Sequence, residues 1–224
     1  MERYFPPDHP NSLALDVMIG GFNDGKVGQS IVVDLMWGLK GIDKSDVYYY
    51  NASDIGEPLW DEEFDMTPSE NQLYLYNFCQ MIKKKNEMLF HKGSITCWLE
   101  NFKKYLDRKK QDFPIEKTKS RTQEENFMYW LNRFVKESKL GRAHVTSTDI
   151  GIVDGKLKYM KFVAKSAGEV FAPYDIKIVY WQMWEDLKDE YNKKAHKGIN
   201  GVIQTAGLDW CIIIMELRLV ETMQ

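Results

Sequence analysis

The stretch Ile19 to Ser30, IGGFNDGKVGQS, places Gly20, Gly25 and Lys26 at the spacing of a phosphate-binding loop. In such a loop backbone amides cradle the phosphates, the lysine reaches them, and a Ser or Thr after the lysine holds magnesium. Val27 occupies that hydroxyl position here. Gly28-Gln29-Ser30 then leads into a β-branched run from Ile31, so no helix N-terminus would face a phosphate. The chain is not expected to be an NTPase. Asn23-Asp24-Gly25 reads as a positive-φ turn feeding a strand, and Lys26 as a solvated charge.

Acidic side chains gather at Trp60 to Asp65 (WDEEFD) and at Asp43 to Asp46 (DKSD). Two carboxylates do acid/base work only at a separation that folding sets, and turn solvation accounts for most such clusters. A hydrolase using Glu62, Glu63 or Asp65 would need a concave pocket that adds a second, sequence-distant acid. His9, His91, His144 and His196 form no i, i+4 pair, and the G-x-S-x-G, H-E-x-x-H and EF-hand patterns are missing from the sequence. No catalytic constellation, metal or cofactor is expected. Asn51-Ala52-Ser53 is an N-glycosylation acceptor in a tyrosine-rich segment. Cys79, Cys97 and Cys211 lack C-x-x-C spacing and are too few for a disulfide scaffold, which leaves room for one pair and one free thiol.

The elements that must position these groups follow from periodicity. Ile31 to Trp37, closed by Gly38, predicts a buried strand. Residues 38–66 carry turn residues and three consecutive tyrosines without a sustained period, and predict a loop. Thr67-Pro68-Ser69-Glu70 predicts a helix start, with Thr67 at the N-cap, Pro68 first in the helix and Glu70 completing a capping box. That helix should reach Lys85 and bury Leu75, Phe78, Cys79 and Ile82. Ser94 should cap a second helix with the stripe Ile95, Trp98, Leu99, Phe102 and Leu106. A third starts at Thr122 with Glu125 as box partner, buries Phe127, Trp130, Leu131, Phe134 and Val135, and stops before Gly141.

Past Gly141 the period becomes two. Thr148 to Val153 and Lys156 to Ala164 flank Asp154-Gly155, the signature of a two-residue hairpin turn. Pro173 opens a fourth helix with Ile176, Val179, Tyr180, Met183, Leu187 and Tyr191 on one face, and GVIQTAG from Gly201 predicts a strand. Trp210, Ile213, Ile214, Leu217 and Val220 then recur at helical spacing. The order reduces to β-α-β-β-α-β. The expected fold is therefore α+β, a ferredoxin-like sheet covered by helices with the first crossover expanded to three helices.

A formal net charge of −3 with both signs interspersed gives no reason to expect nucleic acid or an anionic membrane as partner. The basic runs Lys83 to Lys85 and Lys103 to Lys110 read as solvated helix faces. The sequence contains no uninterrupted apolar run of about 18 residues and Met1 opens no signal-peptide pattern, so the chain as given is expected to be soluble.

Several segments, in order, resemble eukaryotic transporters of the resistance-nodulation-division superfamily, the group that holds Patched, Dispatched and the Niemann-Pick type C transporter. YFPPDHP, Tyr4 to Pro10, is similar to the aromatic-Pro-Pro-x-His-Pro segment that follows a membrane span in that group. VVDLMWGLKGID, Val32 to Asp43, resembles the strand and "WG" that begin the second extracellular domain of Dispatched. DEEFDMTPSENQLYLYNFCQMIKKK, Asp61 to Lys85, and ITCWLENFKKYL, Ile95 to Leu106, are similar to its two cysteine-containing helices. IQTAGLDW, Ile203 to Trp210, resembles the segment leading back toward the membrane. The likeness covers residues 1–110 and 170–224; DRKKQDFPIEKTKSRTQEEN stands where animal Dispatched has a cysteine-rich segment, so Hedgehog-specific contacts are not carried over.

The resemblance implies a non-enzymatic extracellular or luminal domain of a multi-pass membrane protein, contributing to transport or release of a lipid or lipidated cargo. It implies one extramembrane α+β domain over residues 1–224, with 1–29 as an extended lead-in and 208–224 as an amphipathic lead-out. It also implies flanking membrane spans outside this chain, a sister extramembrane domain as partner, and a disulfide between Cys79 and Cys97. On this reading Asn51 would stand where a glycan can be added. The residues by themselves leave two alternatives, a free-standing soluble α+β binding domain and a hydrolase built on Glu62 to Asp65.

Overall fold

The computed structural model describes residues 30–47, 56–85, 87–91, 94–169 and 174–205. The lead-in 1–29, Asn51, Cys211 and the apolar stripe from Trp210 to Val220 lie outside them.

The fold is α+β, with five helices and an antiparallel sheet among the described residues. Its centre is the pair β1 (Ser30–Trp37) and β6 (Lys156–Glu169), antiparallel with Leu35 opposite Phe162 and Trp37 opposite Met160. On the other edge of β1 lies β7 (Ile203–Thr205). Along the far edge of β6, β5 (Ile150–Val153) and the short β4 (Ile95–Thr96) pair with different stretches of it. The sheet therefore reads β7, β1, β6, then β5 and β4 on one edge. Since β1 and β5 are each antiparallel to β6, they run parallel to one another with β6 between them.

Alternation along β1 buries Ile31, Val33, Leu35 and Trp37 on one face. That face meets α1 (Ser69–Ile82), α2 (Trp98–Arg108) and α5 (Tyr174–Lys194) in one hydrophobic core. Trp37 is its hub: the indole lies 4.9 Å from the Phe162 ring, 5.6 Å from Tyr191 and 6.2 Å from Phe78, and its N–H donates to the Tyr191 hydroxyl and the Ile199 carbonyl. α3 (Gln123–Glu137) adds Phe127 and Phe134 against Phe102 of α2.

The capping box at Thr122 and Glu125 forms in both directions. The hairpin turn forms as well, with φ of 51° at Asp154 and 76° at Gly155. The strand from Ile31 is present, beginning one residue earlier, and β6 runs past Ala164 to Glu169.

Other expectations need correction. Residues 38–66 are not all loop: β2 (Leu39–Asp43) pairs with β3 (Glu57–Trp60). Neither strand has a fully buried residue, so no apolar alternation marked them. Pro68, not Thr67, holds the N-cap of α1, and no side chain caps it; the Thr67 hydroxyl donates to Asp65 instead, at 2.7 Å. α1 ends at Ile82 rather than Lys85. α2 begins at Trp98 because Ile95 and Thr96 are drawn into the sheet against Ala164 and Val163, while the Ser94 hydroxyl donates to the His91 carbonyl.

α3 ends at Glu137, before Gly141 as the sequence predicts, but the glycine itself opens no strand. It lies inside α4 (Lys139–Thr146), where a Cβ would come within 2.2 Å of the Phe134 carbonyl oxygen, so glycine lets α4 pack on the last turn of α3. Among the described residues four helices rather than three thus lie between β1 and β5. On α5 the buried stripe is Lys177, Trp184, Leu187 and Tyr191, whereas Ile176 and Val179 are 46% and 56% exposed. Apolar residues surround that helix over its first turns, so spacing could not select a face. The sheet selects Trp184, whose indole N–H donates to the Ser166 hydroxyl of β6 at 3.1 Å.

Candidate functional site

A cleft of about 250 Å³ lies where the β3–α1 connection, the start of α3 and the hairpin end of β6 converge. Its floor is apolar, with Met66 and Met128 buried beside Phe64 and Leu157. Its walls carry Asp61, Glu62 and Asp65 from the connection, Glu124 from α3, and Lys156 and Lys158 from β6.

Local chemistry fixes each wall. Asp65 Oδ1 accepts from both the amide and the hydroxyl of Thr67, a side-chain turn that starts α1. A buried amide network holds α3 against this corner. Gln72 exchanges two hydrogen bonds with the Ile115 backbone, and Gln123 donates to the carbonyls of Thr67 and Ile115. Glu124 follows Gln123 and so lands on the cleft wall. The hairpin turn at Asp154-Gly155 delivers Lys156 and Lys158 two residues apart on the same strand face.

The pocket required for an acid pair is thus formed, with Glu62 and Asp65 brought to Glu124. Glu63 is not part of it and pairs loosely with Lys197, at 3.9 Å. The carboxylates are engaged, however. Lys158 lies 3.5 Å from Glu62, Lys156 lies 3.2 Å from Glu124, and Lys40 lies 3.1 Å from Asp61. Glu62 and Glu124 are also 76% and 53% exposed, so water solvates both. The arrangement can seat a ligand carrying both signs of charge over an apolar floor.

Two polar clusters escaped the sequence reading. His144 of α4 is buried with Asp149, Nδ1 to Oδ2 at 2.8 Å, and its Nε2 lies 2.9 Å from Asn101 Nδ2 of α2. The side chains come from three elements, and no short-range spacing announces them. The cluster has no nucleophile on the imidazole and ties α2, α4 and the start of β5 together. Glu137, at the end of α3, accepts from Arg133, Lys109 and Tyr105. The Arg133 hydrogen bond, then those from Lys109 and Tyr105, pull its carboxyl down to about 2. Burial and the bond to Glu137 push the Tyr105 phenol up to about 12.

On the sheet's other face Asp34 of β1 is raised above the ordinary carboxylate value by burial, against the lowering effect of Lys161 at 3.5 Å. Among the described residues no group of three or more His, Cys, Asp or Glu side chains is placed to hold a metal ion. No helix among them is long and apolar enough to cross a membrane.

Cys79 of α1 and Cys97, at the N-cap of α2, are joined as a disulfide with their Cα atoms 6.5 Å apart, beneath the core face of the sheet. No protein-family model matches the chain, and no curated protein matches it in sequence.

Proposed function

We propose that the chain is a non-enzymatic extracellular or luminal domain of a Dispatched/Patched-like transporter. It would help a lipid or lipidated cargo cross or leave the membrane by docking against a sister domain of the same protein. The observation that carries the reading is the Cys79–Cys97 disulfide, because it joins the two cysteines that the resemblance pairs. Disulfides persist in oxidising compartments and are rare in the cytosol. Further support comes from the sheet. Its order β7, β1, β6, β5, with β6 inserted between the parallel β1 and β5, is compatible with a split β-α-β unit of ferredoxin-like type, to which β4 and the β2–β3 pair are additions. Asn51 is the proposed glycan site, and neither nucleic acid nor a cofactor enters the reading.

The test is the complete native reading frame. Apolar stretches of about 20 residues on both sides of this segment are the expected result; a frame without them would leave a free-standing binding domain.

A second reading is favoured by one observation, the meeting of Glu62 and Asp65 with Glu124 in a single cleft. A hydrolase of this kind would act on a substrate seated between Glu124 and the β3–α1 connection. Turnover of a glycoside or ester panel that disappears in Glu124→Gln would establish it and displace the transporter reading.

A further inference from the structure

A second concavity, of about 280 Å³, lies between α1 and α5 and differs in kind from the cleft. Tyr74, Phe78, Met81 and Lys85 follow one helical stripe and its continuation past α1; Leu187, Glu190, Tyr191 and Lys194 form the facing stripe of α5. The floor is aromatic. The Phe78 and Tyr191 rings are 4.3 Å apart, and Tyr74 meets Tyr191 edge-on at 5.6 Å. The hydrogen bond from the Trp37 indole to the Tyr191 hydroxyl, at 3.2 Å, locks this floor before any ligand arrives. Met81 is 37% exposed on the wall, an adaptable apolar surface. The rim is charged: Lys194 pairs with Glu190 at 2.6 Å, and the Lys85 charge also acts on the Glu190 carboxylate. Two cations and one anion therefore line the mouth of an otherwise apolar groove.

We infer that this groove binds a single-chain amphiphile with an anionic head, its tail along Met81, Phe78, Tyr74 and Leu187 and its head between Lys85 and Lys194. The volume lies near the lower end of small-ligand pockets, roughly 300–1,000 Å³, which suits a medium-length chain. Charge complementarity chooses the head: an anion takes over the place of Glu190 between the two ammonium groups, whereas a cation would meet like charge. A preformed floor also spares the ordering of side chains on binding. The inference stands independently of the transporter reading, since it concerns this chain alone.

The test is calorimetric titration of the whole 224-residue chain with decanoate, decyl phosphate and decanol, each kept below its micellar concentration, together with an arm of phosphatidylglycerol vesicles. Saturable one-to-one binding of decanoate and decyl phosphate is expected, with decanol at least tenfold weaker and a shift of the Met81 methyl resonance on binding. A Lys85→Glu/Lys194→Glu variant, both changes on the rim and checked for an unchanged circular dichroism spectrum, should lose at least tenfold in affinity. Glu190→Gln should gain severalfold. Equal binding of decanol, unchanged affinities in these variants, binding to vesicles alone, or a concentration-dependent dimer without ligand uptake would each overturn the inference.

Discussion

The two concavities are built from opposite materials. The cleft at the hairpin is walled by a connection, a helix start and a strand end, and its polar groups are exposed carboxylates and lysines already matched to one another. The groove between α1 and α5 is walled by helices, and its aromatic floor is continuous with the core. The cleft can therefore change its wall residues at little expense to the fold, whereas the floor of the groove belongs to the buried core around Trp37. Function placed in the first would be tunable by surface substitution; function placed in the second is tied to stability.

Substitution should separate the two regions, beginning with the groove. Phe78→Ala removes a ring that touches both Trp37 and Tyr191 and should lower the free energy of unfolding by about 3–5 kcal/mol in urea titration. A loss below about 1 kcal/mol would mean that the floor is not core. Replacing Cys79 and Cys97 together by Ala opens a loop of sequence separation 18 and should remove about 3 kcal/mol. Reductant should then destabilise the parent chain and leave the double variant unchanged.

On the cleft side the effects shrink. Thr122→Ala deletes the cap of α3 and should cost about 1 kcal/mol, with Glu125→Gln retaining most of the stability because an amide can still close the box. A double-mutant cycle on Lys156 and Glu124 should give less than about 1 kcal/mol, as expected of an exposed pair; a larger coupling would show the cleft to be more closed than its exposure implies.

Acid provides a final comparison, at Glu137. Its folded-state value lies below the unfolded one, so its contribution is full above about pH 4.3 and is lost as pH falls toward about 2. Glu137→Gln should flatten the stability profile across that window, measured by thermal denaturation at successive pH values. Asp34 has the opposite sign: burial raises it, so its ionisation works against folding above the ordinary carboxylate range, and Asp34→Asn should raise the melting temperature at pH 7 but not at pH 3.

Much of the architecture was legible where sequence carried a local mechanism. The box at Thr122, the turn at Asp154-Gly155 and the β-branched run of Ile31 to Trp37 each specify their element within a few residues. Legibility failed where tertiary structure decided. Ile95 fits a helical stripe, but the open edge of β6 claims it for the sheet. Gly141 lies beyond the end of α3, as the sequence suggests, but nothing local announces α4, the further helix that packs closely on α3 around it. The first turns of α5 are apolar on most of their circumference, so only contact with Ser166 and the sheet could single out Trp184. The sites follow the same division. The acids of WDEEFD were visible as a cluster, yet Glu124, Lys156 and Lys158 reach them only through a fold that joins three distant segments, as it joins Asn101, His144 and Asp149.

The most direct test of the central proposal is peptide mapping, without reductant, of the native protein recovered from its own cells and separated into carbonate-resistant membrane and soluble fractions. The account predicts recovery from the membrane fraction, a linked Cys79–Cys97 peptide and a glycan on Asn51. Recovery from the soluble fraction with both thiols free and Asn51 unmodified would contradict it.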